Sequence, residues 1–128
     1  MIKEAFILNY DCGNFSSLKS WLNKALIPTY LIDVAEEFNQ LNDQSLLVLP
    51  GVGHFKTAHD AIINKNFKQK LEVIRGSVPV LGICLGAQIM FKSSAESPDS
   101  EGLGWYETVP IISSEGCNKL RSKDYFFF

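Results

Sequence analysis

The five residues Gly82-Ile83-Cys84-Leu85-Gly86 set a thiol between two glycines, directly after the apolar run Val78-Pro79-Val80-Leu81 and ahead of a stretch with helical spacing. A G-x-nucleophile-x-G sequence at such a junction is the pattern of a nucleophile elbow, a turn too sharp for side chains at its flanking positions. The glycines Gly82 and Gly86 would serve that turn, and Cys84 would be pushed out at the carboxyl edge of a sheet. There it would sit at a helix N-terminus, whose partial positive charge favours the thiolate. A bare G-x-C-x-G also fits a small buried thiol beside two packing glycines. The place of Cys84 at the end of a buried strand favours the nucleophile.

A second element, Pro50-Gly51-Val52-Gly53, follows a different apolar run. Glycines there let backbone N–H groups turn inward, as an oxyanion hole requires, although an ordinary strand-to-helix turn has the same composition. In an open parallel sheet, the loops at the carboxyl ends of neighbouring strands converge on one crevice. A thiol and an oxyanion loop meeting there point to acyl transfer through a thioester.

The elements that must hold these groups can be read from periodicity. Residues 5–8, 30–32, 46–49 and 78–81 are short apolar runs, as strands covered on both faces should be. Between them Phe15, Leu18, Trp21, Leu22, Ala25 and Leu26 recur at three- and four-residue steps, with Asn14 as N-cap and Pro28 as the stop. Trp21 is expected in the core. Residues 57–64 and 67–75 read as a helix in two pieces, and Leu85, Ile89 and Met90 begin another that fades by Ser93-Ser94. Residues 97–102 have loop composition, and residues 108–112 suit one more strand. The expected fold is α/β, a doubly wound and mostly parallel sheet with helices on both faces. The terminal Tyr125-Phe126-Phe127-Phe128 would form an exposed adhesive patch unless it folds back.

The 128 residues suit one domain, 46% apolar and 20% charged. A net charge of −2 argues against nucleic acid or an acidic membrane as partner. No stretch approaches the ~18 apolar residues of a membrane span, and a cytoplasmic protein is expected. The three cysteines, Cys12, Cys84 and Cys117, lie far apart, and His54 and His59 are the only histidines, so neither zinc spacing nor a disulfide framework is present. No metal or cofactor is expected.

Tyr10-Asp11-Cys12-Gly13-Asn14, Leu49-Pro50-Gly51-Val52-Gly53 and Leu81-Gly82-Ile83-Cys84-Leu85-Gly86-Ala87-Gln88 together resemble the class I, triad-type glutamine amidotransferases. The resemblance is greatest to the glutaminase subunits of imidazole glycerol phosphate synthases. Phe91, Ser93-Ser94 and Glu101-Gly102-Leu103-Gly104 continue it, and it covers about residues 7–121. It implies a flavodoxin-like sheet in which Cys84 attacks the side-chain amide of glutamine. Backbone N–H groups near Gly51, Val52 and Gly53 and at Leu85 would hold the oxyanion, and Gln88 would help hold the substrate. It also implies a heterodimer in which a cyclase or synthase subunit takes up the ammonia in histidine biosynthesis. On this reading residues 1–121 are the N-terminal part of an amidotransferase domain, and 122–128 are a tail outside the family.

The sequence departs from the family in two places. Lys92 stands where an acidic residue is common. The His-Pro-Glu segment that completes the triad is absent, as is the Pro-His-Met-Gly-Trp stretch before it, and the chain reads Ser122-Lys123-Asp124-Tyr125 where that stretch is expected. This implies a C-terminally truncated, inactive product, since ammonia leaves the thiol adduct only when something protonates it. His54, next to the oxyanion loop, is the nearer candidate base, and a solvated or locally bonded histidine is the plainer reading. Three alternatives stay open: an amidotransferase subunit of a surface-polysaccharide sugar pathway, to which Trp105 points; another cysteine hydrolase or redox sensor; and a non-catalytic remnant or interaction module.

Overall fold

The computed structural model describes residues 1–94, 97–106, 121–122 and 125–127. Strand β1 (Glu4–Leu8) leads to helix α1 (Phe15–Lys24), β2 (Thr29–Ile32), a 3-10 helix (Ala35–Gln40) and β3 (Ser45–Leu49). Helices α2 (Phe55–Asn64) and α3 (Phe67–Ile74) precede β4 (Val80–Gly82), and one helical turn, α4 (Leu85–Gln88), follows it. Two further strands, β5 (Arg121–Ser122) and β6 (Tyr125–Phe127), complete the described elements. The expected strand at 108–112 lies outside the described residues.

The sheet order is β2-β1-β3-β4-β6-β5, with every pair parallel except β5 with β6. Side chains alternate across it with period two. Phe6, Leu8, Leu47, Leu49 and Val80 face the layer of α2, α3 and the 3-10 helix, where Phe38, Phe55, Ile62, Phe67 and Leu71 close the larger core. Ala5, Ile7, Val48 and Leu81 face the other way, against Leu22 of α1. Burial on both faces explains why these strands are solid apolar runs, and the doubly wound reading holds.

Three expectations are corrected by the packing. Trp21 is 60% exposed rather than core, because Phe15, Leu18 and Leu22 take the sheet-facing stripe of α1. The helix ends at Lys24, capped at its start by the Asn14 side chain accepting from the Ser17 amide, and the chain reverses at Leu26 with φ +59°. Helix α4 is far shorter than its apolar spacing predicts. The carbonyls of Ile89, Met90 and Lys92 are diverted to the amides of Leu103, Trp105 and Gly102, which lays residues 102–106 beneath the turn. The terminal aromatic segment folds back: Tyr125–Phe127 is a strand in register with Val80, Leu81 and Gly82.

Candidate active site

Cys84 is the N-cap residue of α4, two residues past β4, solvent-exposed, with φ +51° and ψ −116°. A non-glycine residue in this region stores backbone strain, of order 1–3 kcal/mol, and the surrounding structure must hold it there. It is held from both sides. The Ile83 amide donates to the Leu49 carbonyl at 2.9 Å, and the Leu85 amide donates to the Gly51 carbonyl at 3.2 Å. The Cys84 carbonyl accepts from Ala87 and Gln88 at 3.0 and 3.1 Å, closing the helical turn.

The elbow glycines are required by space. A Cβ on Gly82 would lie 2.7 Å from the Ala87 Cα, and one on Gly86 would overlap the Leu49 carbonyl. These contacts press the Cys84 turn against the end of β3, which is where the 51–53 loop begins. The thiol and the candidate oxyanion loop therefore meet at the carboxyl ends of β3 and β4. Gln88 is half-buried, one turn beyond Cys84, and Val52 is 69% exposed. In this arrangement the Leu85 amide, one of the expected oxyanion donors, is already engaged by Gly51.

The β1–α1 turn packs against the same loop: a Cβ on Gly13 would stand 3.5 Å from Pro50 Cβ, and one on Gly51 only 2.6 Å from the Tyr10 hydroxyl. Tyr10 and Cys12 are buried there, and burial pushes both groups above their ordinary pKa, helped by the charge of Cys12 on Tyr10 and of Asp11 on Cys12. The burial of the Tyr10 hydroxyl is not legible in the sequence. A tyrosine at the head of a polar turn gives no signal that its ring is in the core.

His54 is exposed, and its Nδ1 accepts from the Lys56 amide at 3.3 Å, which makes it the N-cap of α2. His59 is half-buried on α2. Trp105 is core: its indole Nε1 donates to Glu72 at 2.8 Å, and the Arg75 guanidinium lies 5.7 Å from its ring centre. Among the described residues no group of three His, Cys, Asp or Glu side chains is placed to hold a metal ion, and no helix is long and apolar enough to cross a membrane.

The chain is thus a doubly wound α/β sheet with a strained cysteine turn beside a glycine loop. Residues 8–123 match the class-I glutamine amidotransferase family, and the chain belongs to it. It is similar to the imidazole glycerol phosphate synthase subunit HisH of Methanopyrus kandleri, with 42% identity over 99 residues, 77% of this chain and 48% of the relative. It is also similar to subunit HisH 2 of Vibrio vulnificus, with 41% identity covering 77% of this chain and 46% of the relative. A longer relative, imidazole glycerol phosphate synthase hisHF of Emericella nidulans, is 36% identical over 81% of this chain and 18% of its own length. The chain thus spans about half the length of the HisH relatives. A solved structure described as a glutamine amidotransferase shares the fold, with TM-score 0.64 and 23% identity over 77% of this chain and 51% of that one.

Proposed function

We propose that this chain is the nucleophile-bearing part of a glutaminase that supplies ammonia to a cyclase partner, in line with its similarity to subunits of imidazole glycerol phosphate synthase. The observation that carries the reading is the strained Cys84 elbow docked on the 51–53 loop. The thiolate of Cys84 would add to the side-chain amide carbon of glutamine, forming a C–S bond and an oxyanion. The amides of Leu85 and Val52 would hold that oxyanion once Gly51 releases the former, and Gln88 would contact the substrate. Collapse expels ammonia when a proton reaches the nitrogen, and water then cleaves the glutamyl thioester to glutamate and free thiol. A heterodimer, a place in histidine biosynthesis and a cytoplasmic location belong to the same proposal.

The 128 residues themselves supply only His54 and His59 as bases, and His54 caps α2. Loss of triad members that act as a unit lowers turnover by roughly 10⁴- to 10⁶-fold. We therefore expect the Cys84 thiol of the chain alone to react with a glutamine analogue that needs no proton on its leaving group, but not to turn glutamine over. A chloroketone analogue of glutamine tests this: the ketone carbon takes the thiolate as the amide would, and displacement of chloride leaves a thioether. Cys84 should be alkylated faster by the analogue than by iodoacetamide, and glutamine should protect it. Equal rates with no protection would refute the glutaminase reading.

A further inference from the structure

The Tyr10 ring is fully buried at the end of β1, and its hydroxyl is the one buried side-chain polar atom with no hydrogen-bond partner among the described residues. Such orphans are rare in folded proteins, since the group has lost water and gained nothing, and phenylalanine would avoid the cost. Its position is specific. The hydroxyl lies 2.6 Å from where a Cβ on Gly51 would stand, and the Leu85 Cβ lies 3.1 Å from the same point. Tyr10, Gly51 and Leu85 therefore meet at one place. There the Gly51 carbonyl is held by the Leu85 amide at 3.2 Å, the very donor that an oxyanion needs.

One donor lacks an acceptor, and the neighbouring donor is held by an acceptor that must leave. We propose that Tyr10 is a positioning residue: its hydroxyl receives the Gly51 carbonyl when the Gly51–Val52 peptide turns, which frees the Leu85 amide and swings the Val52 amide toward the substrate oxyanion. The proposal rests on the glutaminase reading above. The exchange replaces one hydrogen bond by another, so the two orientations are close in free energy and a bound oxyanion selects the second. Gly51 suits this role because it has no Cβ and its φ is +154°, which leaves the peptide free to turn beneath the hydroxyl.

The test compares Tyr10→Phe with the wild-type chain, using the exposed Tyr30→Phe as control. Alkylation of Cys84 is followed with the chloroketone analogue, whose attack passes through an oxyanion, and with iodoacetamide, whose attack does not. Losing one net hydrogen bond should slow the analogue about five- to tenfold. The iodoacetamide rate should be unchanged, and the melting temperature unchanged or higher. An unchanged analogue rate, an equal fall with both reagents, or a lower melting temperature would each overturn the assignment, the last because it would mean that the hydroxyl is already bonded at rest. If the wild-type chain itself fails to distinguish the two reagents, the glutaminase reading falls first and takes this one with it.

Discussion

The Cα of Gly86 packs directly on the carbonyl of Leu49, so the turn after Cys84 touches the end of β3 backbone to backbone. Gly86→Ala must therefore separate β3 from the elbow. Overpacking of this kind costs about 1–3 kcal/mol and more when backbone has to move. Gly53, by contrast, has open space around its Cβ position and only an unfavourable φ of +123°. Gly53→Ala should cost about 1 kcal/mol from backbone strain alone. Urea midpoints of the two variants should separate clearly, and equal losses would contradict the close packing.

Cys84 should be alkylated well before Cys12. Cys84 is exposed, whereas Cys12 is 5% exposed and burial pushes its thiol up. A thiol both buried and raised in pKa presents little thiolate. Limiting iodoacetamide with peptide mass spectrometry reads the ratio directly, and similar labelling of the two would contradict the packing of the β1–α1 turn.

Alkaline pH should destabilise the fold through Tyr10 and Cys12. Both have folded-state pKa values above their ordinary ones, by burial first. As pH rises, the unfolded chain releases these protons before the folded chain does, so stability is full below about pH 8.5 and falls above it, at up to ~1.4 kcal/mol per unit and group. Tyr10→Phe should flatten the decline above about pH 10 and Cys12→Ala the part just below it. Urea midpoints across this range check it, and parallel curves for all three proteins would contradict it.

Much of this was legible in the residues. The apolar runs at 5–8 and 46–49 alternate between two buried faces, and an all-apolar run is what two covered faces demand. The elbow was legible because Gly82 and Gly86 are needed for space on either side of Cys84. What escaped depends on neighbours distant in sequence. Trp21 has the right helical spacing but lies off the stripe that meets the sheet. The 3-10 helix fully buries only Phe38, with Ala35 partly buried beside it and Glu36, Glu37, Asn39 and Gln40 around them, which leaves no period to read. The orphaned Tyr10 hydroxyl exists only because β1, β3 and the elbow converge.

Trp105 and Glu72 should couple. The indole bond at 2.8 Å fastens residues 102–106 to α3, with Arg75 donating to the Trp105 carbonyl at 3.2 Å. A hydrogen bond to a charged acceptor contributes about 1.5–3 kcal/mol when buried and less where it is half-exposed, as here. Glu72→Ala, Trp105→Phe and the double variant should give a coupling energy of about 1 kcal/mol. Additive losses would mean that the indole is held by packing alone.

The edge of β4 supplies the last prediction. Val80, Leu81 and Gly82 pair in parallel with Tyr125, Phe126 and Phe127, so the aromatic run shields a strand that would otherwise present its N–H and C=O groups to other chains. Read as sequence alone, that run looks adhesive, and cutting it away would be expected to improve solubility. Its pairing reverses the expectation. An open parallel edge next to an apolar strand is a template for association, and β3 would then lie one strand from the edge instead of three. Deleting residues 125–128 should therefore increase light scattering at a given concentration and lower the melting temperature. Phe126→Pro, which removes an N–H and resists strand pairing, should act in the same direction while keeping the chain length. A deletion variant that is more soluble and melts no lower would show that β6 contributes nothing to the sheet.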